Sequence, residues 1–188
     1  MELVLTKLNQ SLEHLRLVGD FECSDESIEN FLKNDAHNYD CSGEGNTYIL
    51  IDEKDNKIVA YYTLKCNGIQ VKDDNLHKVL PALEIARLGV DINYEKLGLG
   101  SKMLAMAVKV AIHLKEEHVG VKYIHLFSVP DSVDFYMKKN KAGLKFHEYP
   151  KGYSFLKEEN SQEGCKALYV TLNECEDLYK KELSIIDY

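Results

Sequence analysis

Residues 88–102, LGVDINYEKLGLGSK, decide the fold, together with the run that leads into them, LEIARLGVDI at 83–92. That run is almost continuously apolar, the pattern of a central strand covered on both faces. The loop NYEKLGLG follows. Next comes SKMLAMAVKVAIHLKEEH, in which Leu104, Ala107, Val108, Ala111 and Leu114 recur with helical period. Ala, Met, Leu and Lys are also strong helix formers. A buried strand therefore feeds a long helix through a short turn holding Gly98 and Gly100. Helix N-termini expose unpaired N–H groups and a partial positive charge. Glycine lets the backbone approach an anion closely. Together these features make a phosphate site. Two known phosphate motifs do not fit. A P-loop needs Gly-Lys-Ser/Thr, whereas Gly100 is followed by Ser101 and then Lys102; the dinucleotide fingerprint needs glycine where Met103 stands. A tight strand-to-helix connection without ligand remains compatible with the two glycines.

Outward from this segment, strands and helices alternate. Residues 2–8 partly alternate apolar and polar and suit an opening strand. DESIENFLKNDAHNY reads as a short amphipathic helix, with Ser24 or Asp25 as its cap and Ile28, Phe31 and Leu32 at helical spacing. Residues 40–46 read as a loop. Two runs rich in β-branched and aromatic residues, 47–51 and 57–66, suit strands joined through DEKDN as a hairpin. Residues 70–81 look less regular. Beyond the long helix, 123–129 reads as a buried strand and 130–140 as a helix, with Pro130 tolerated in its first turn. Strands are expected at 143–149 and 167–172, a loop at 157–164 and a helical tail. The result is an α/β fold, a mixed central sheet flanked by helices, in a single domain spanning 1–188.

The 188-residue length fits one domain. With 45% apolar and 29% charged residues the mixture is that of a globular protein, which argues against long disordered tracts. The net charge of −8 disfavours tight non-specific nucleic-acid binding, although it leaves room for a local basic groove. Cys23, Cys41, Cys66, Cys165 and Cys175 form no CxxC pair and are odd in number, so neither a zinc site nor a disulfide framework is signalled. The histidines form no HxxxH pair, and no metal is expected. The first twenty residues lack a basic region followed by a long apolar one, and no apolar run approaches the roughly 20 residues of a membrane helix. The expectation is a soluble cytoplasmic protein without a membrane partner; a homodimer is compatible with it.

Glu95-Lys96-Leu97-Gly98-Leu99-Gly100 resembles the acetyl-CoA signature Q/R-x-x-G-x-G/A of the GNAT superfamily of N-acetyltransferases. The preceding LGVD looks like that family's splayed fourth strand. The resemblance implies that backbone groups of Leu88 and Val90 pair with the pantetheine arm. It further implies that Lys96, Gly98, Leu99, Gly100 and Ser101 hold the pyrophosphate. Glu95 departs from the usual Gln or Arg. SVDFYMKKNKAGLKF, residues 132–146, is similar to the family's later A-x-x-F-Y-x-x-x-G-F motif. Phe135 and Tyr136 match the aromatic pair, Phe135 as a cofactor contact and Tyr136 as the general acid. Gly143-Leu144 resembles the Gly-Phe at longer spacing, and Ser132 stands for Ala. FLKNDAHNY, YYTL and RLGVD further resemble GNATs of the toxin type, which acetylate the amino group of aminoacyl-tRNA.

The implied reaction is direct transfer of an acetyl group from acetyl-CoA, as co-substrate, to a primary amine, without an acyl-enzyme. The backbone N–H of Val90 would polarise the thioester carbonyl. Tyr136 would protonate the departing thiolate, since a phenol near pKa ~10 and a thiol near ~8.5 are matched for proton exchange; the competing role for Tyr136 is to pack its helix on the sheet. Glu84 is the candidate base, against the alternative of a solvated surface carboxylate. His113 and His118 are expected to face solvent, and His125 and His147 to be satisfied structural residues within strands. Cys66 and Cys165 lie in no motif that supports a nucleophile. A toxin acting on charged tRNA would need a basic groove, for which Arg87, Lys138, Lys139, Lys141 and Lys145 are the candidates. A non-catalytic CoA-binding module is the other alternative. The acceptor pocket is expected from residues 21–46 and 70–83.

Overall fold

The computed structural model describes residues 1–73, 76–141, 143–155 and 164–178. The chain divides into two compact units, residues 1–65 with 85–104 and residues 66–84 with 105–188.

In the first unit, β1 (Leu3–Lys7) pairs antiparallel with β2 (Asn46–Asp52), and β2 with the first part of β3 (Lys57–Asp73). Between β1 and β2 lies α1 (Leu12–Leu17), capped by the Ser11 hydroxyl, which accepts the His14 N–H. The sequence pattern did not disclose this helix, because six residues are too few to show a period, although Leu15 and Leu17 pack half-buried against the core. The second helical run is continuous but not uniform: α2 (Glu26–Asn30), a π turn (Phe31–Asp35) and α3 (Ala36–Cys41). Asp25 is the cap; its Oδ1 accepts the N–H groups of Ser27 and Ile28. Phe31, Leu32 and Ala36 face inward and join Leu8, Phe21, Ile49, Ile58 and Tyr61 in this unit's core. The last part of β4 (Leu76–Val90) and the start of α4 (Leu99–Glu117) complete the unit.

In the second unit, β4 runs parallel to β5 (Tyr123–Ser128) over Ala82–Glu84. A 3-10 turn (Pro130–Ser132) leads into α5 (Val133–Met137). β6 (His147–Glu148) and β5 both pair antiparallel with β8 (Lys166–Thr171), and β7 (Tyr153–Phe155) pairs antiparallel with the later part of β3. Ile69, Leu80, Ala82 and Tyr123 form a core patch, flanked by Tyr149, Tyr153 and Tyr169. Residues 172–178 are helical.

Strand order is β1-β2-β3-β4-β5-β8-β6, with β7 on β3. The parallel β4–β5 pair among antiparallel ones makes the sheet mixed. α4 buries Leu99, Met103, Leu104, Ala107, Val108 and Ala111, the stripe that its period predicts. Two expectations need correction. Residues 70–81 are not irregular: β3 extends to Asp73 and β4 starts at Leu76. Polar Lys and Asp residues mask that long hairpin in the sequence. The expected strand at 143–149 contracts to His147–Glu148, because the Asn140 carbonyl accepts the Gly143 N–H and folds the chain into a turn. Most of the expected loop at 157–164 and the end of the tail lie outside the described residues.

Candidate active site

The helix-start turn is built from its flanks inward. At Gly89, in β4, an added Cβ would lie 2.7 Å from Ile28 Cγ2 and 2.8 Å from Tyr61 Cε1, so only glycine lets α2 and β4 pack this closely. Asp91, 3% exposed, then ties the strand end down. Its Oδ2 accepts the Glu22 N–H at 3.1 Å and its Oδ1 the Asn93 N–H at 2.9 Å. The backbone beyond it takes two left-handed conformations, Lys96 at φ 63° and Gly98 at φ 87°. A non-glycine residue there is costly and marks a constrained turn.

The first N–H in this helix bonded back to the turn is that of Lys102, on the Gly98 carbonyl at 3.1 Å. The N–H groups of Leu99, Gly100 and Ser101 precede it, at the positive end of a helix of 19 residues. Ser101 is buried, whereas Lys96 and Lys102 are exposed. Three N–H donors of a first helical turn, two glycines and two exposed lysines near them in the chain are a donor set that fits a pyrophosphate.

Leu88 and Val90 are half-buried at the end of β4. The backbone N–H groups of Asp25 and Val90 both favour the thiolate of Cys23. Burial, with Asp25 and Glu95 adding negative charge, nevertheless pushes the Cys23 thiol up, so it is a neutral thiol at working pH. The Glu95 carboxylate thus acts on Cys23. Nothing in the sequence marks Cys23 as a neighbour of this strand end.

In the second unit Tyr136 is 8% exposed, on α5. It packs edge-on against Phe135, with ring centres 4.8 Å apart, and Phe146, at 5.7 Å; its carbonyl accepts the Phe146 N–H. Burial pushes its phenol well up, so the hydroxyl stays protonated, and the close match to a thiol expected from the sequence does not hold for this buried ring.

Glu84 is 3% exposed, which overturns the reading of a solvated surface carboxylate. Its Oε2 accepts a short hydrogen bond from the Asn67 amide and lies 3.3 Å from His125 Nε2. His125 is fully buried, and neither ring nitrogen makes a hydrogen bond among the described residues, so the expectation of a satisfied structural histidine is also corrected. A signal for this pair existed in the register: Glu84 and His125 are direct partners in β4–β5.

The basic candidates differ among themselves. Lys138, Lys139, Lys141 and Lys145 are exposed. Arg87 is engaged: its guanidinium lies 4.9 Å from the centre of the Phe31 ring and donates to the Ala86 carbonyl.

The sequence profile of the acetyltransferase (GNAT) family matches residues 13–140. The chain belongs to that family. It is accordingly an acyltransferase with acetyl-CoA as co-substrate. Solved structures share the GNAT acetyltransferase fold. A mutant of the AtaT toxin bound to acetyl-CoA and the C-terminus of the antitoxin AtaR aligns with a TM-score of 0.71 at 19% identity, over 95% of this chain and 99% of that one. AtaT complexed with acetyl-methionyl-tRNAfMet aligns at 0.73 and 18%, over 95% and 99%. A tyrosine-to-phenylalanine mutant of KacT aligns at 0.73 and 16%, over 95% and 99%. Among the described residues of this GNAT acetyltransferase, no helix is long and apolar enough to cross a membrane, and no group of three or more side chains could hold a metal ion.

Proposed function

We propose that the whole chain works as one cytoplasmic N-acetyltransferase domain that moves an acetyl group directly from acetyl-CoA to a primary amine. The observation that carries this reading is the turn at Gly98, left-handed and opening α4 after the loop that leaves β4. The family match spans parts of both units, which supports a single working domain.

Acetyl-CoA supplies the activated thioester. Leu99, Gly100 and Ser101 offer backbone N–H groups to its pyrophosphate, with Lys96 alongside. Backbone groups of Leu88 and Val90 align the pantetheine arm as an added strand, and Phe135 packs against it. The Val90 N–H polarises the thioester carbonyl. Glu84 takes a proton from the acceptor ammonium, and Tyr136 gives one to the departing thiolate. Orientation is the main contribution of such a site, because a held thioester and amine react as one molecule.

The test is thiol release from acetyl-CoA with amino-acid amides and charged tRNA as acceptors, with mass spectrometry of the products. Gly100→Val should abolish acetyl-CoA binding in a thermal-shift titration by filling the space of the phosphate; unchanged binding would refute the turn's role. Tyr136→Phe should leave the KM for acetyl-CoA near its normal value and lower kcat by roughly 10²-fold or more, the usual scale of a lost proton donor.

A second, narrower reading makes the acceptor the amino group of an aminoacyl-tRNA. It is supported by alignment over nearly the full chain with the structure of AtaT complexed with acetyl-methionyl-tRNAfMet. Expression should then arrest growth, with labelled acetyl groups appearing on charged tRNA, and Tyr136→Phe should relieve the arrest.

A further inference from the structure

Glu84, His125, Tyr169 and His147 form one row across the second unit: Glu84 pairs with His125, His125 with Tyr169, and Tyr169 with His147. Paired residues of adjacent strands share a face of the sheet. The row runs from the buried interior to an exposed end, where His147 Nε2 lies 3.5 Å from Glu174 Oε1. At the buried end, Asn67 Nδ2 and His125 Nε2 both address the same oxygen, Oε2 of Glu84. The partners therefore act on the orientation of the carboxylate as well as its charge.

A fully buried imidazole without a hydrogen bond is an expensive side chain, since an unsatisfied buried polar group costs about 1–3 kcal/mol. An apolar residue would fill this position at lower cost. The ring sits within ion-pair distance of a carboxylate that is itself almost fully buried. Catalytic hydrogen bonds in unliganded enzymes are often poorly aligned and tighten only when substrate binds.

We infer that His125 is a positioning residue for acetyl transfer: its Nε2–H holds the Glu84 carboxylate in the orientation and ionised form that accept the acceptor's proton. This rests on Glu84 being the base. In the step, one N–H bond of the acceptor ammonium breaks, one O–H bond forms on Glu84, and the amine keeps the electron pair with which it attacks. Among the described residues, β3 places the neutral amide of Asn67 at the pair, β5 Tyr123 and Phe127 on either side of His125, β8 Tyr169, and the chain before β7 Tyr149. Burial pushes the Tyr149 and Tyr169 phenols up, so both stay neutral, and His147 with the Glu174 carboxylate stands at the far end of the row.

The test compares wild type, His125→Gln, His125→Asn and Glu84→Gln. Gln keeps an N–H at nearly the reach of Nε2; the shorter Asn does not. With an equimolar mixture of amino-acid amides and acetyl-CoA, His125→Asn should lose about tenfold in kcat/KM at pH 6 and regain it at higher pH. That corresponds to an acid limb moved up by about one pH unit. His125→Gln should follow wild type, and the KM for acetyl-CoA should not move in either. An acid limb in His125→Asn superimposed on that of wild type would overturn the positioning role while leaving Glu84 as base. Full activity in Glu84→Gln would remove the base and this role with it. Independently of turnover, the Glu84 carboxyl followed by NMR in 13C-glutamate-labelled protein should titrate higher in His125→Asn than in His125→Gln. Equal midpoints would also overturn the inference.

Discussion

Glycine and aspartate do much of the placing at this site, each for a physical reason that can be tested alone. Gly89 lies where α2 and β4 come closest, and the atoms around it are not free to yield. Tyr61 is fully buried, its hydroxyl donates to the Ile28 carbonyl at 2.6 Å, and its ring stands edge-on to Phe21. Gly89→Ala should therefore destabilise the fold by about 1–3 kcal/mol, the usual cost of overpacking, read as a lower denaturant midpoint. A midpoint equal to wild type would mean that the helix moves aside. The glycines of the helix-start turn were legible in the sequence, because their chemistry depends only on neighbours along the chain. Glu84 could be named but not understood. Its burial, and its partners Asn67 and His125, lie 17 and 41 positions away and are set by strand register, which local periodicity does not report. Cys23 beside the Val90 N–H carried no signal for the same reason.

At the scale of elements, long and strongly patterned segments declared themselves: β2, the first half of β3, the end of β4, α4, β5 and β8 all fall where their residues predict. The misses were elements too short to show a period. α1 relies on its Ser11 cap, and β7 is a three-residue edge pairing. The junction of α3 with β2 offers a test of pH dependence. The half-buried Asp40 accepts the Thr47 hydroxyl at 2.9 Å, and Thr47 in turn meets the Thr63 hydroxyl at 3.0 Å. Burial raises the Asp40 carboxyl above its ordinary value of 3.8 in spite of the hydrogen bonds from Thr47. The folded state thus holds this proton more tightly than the unfolded one. The associated stability is present below the ordinary value and is lost as the pH rises through the folded one. Asp40→Asn keeps an oxygen for Thr47 and removes the charge. It should be more stable than wild type at pH 7 and equal to it near pH 3, in urea unfolding at both values. A variant less stable than wild type at pH 7 would show that the ionised form is needed.

At the scale of the whole molecule, charge bears on which amine is acetylated. A net charge of −8 opposes a polyanionic acceptor, so any tRNA must be met by a local positive surface. Lys138, Lys139, Lys141 and Lys145 provide one candidate, being exposed and close together along the chain. Lys138 already pairs with Asp134 at 2.5 Å, but both side chains are about three-quarters exposed, so the pair is weak and open to exchange with a phosphate. Replacing Lys139, Lys141 and Lys145 together by Glu should therefore raise the KM for aminoacyl-tRNA by roughly tenfold or more and leave that for amino-acid amides unchanged, because only the tRNA brings phosphates to neutralise. Raising salt from 50 to 200 mM should weaken tRNA turnover steeply in wild type and less so in the variant, since fewer counterions are released when fewer phosphates are bound. The amide reaction acts as the internal control: it reports the acetyl-transfer machinery without the polyanion. Equal losses on both acceptors would place the lysines in the general architecture of the site. No loss on either would leave tRNA recognition, if it occurs, to another surface of the enzyme.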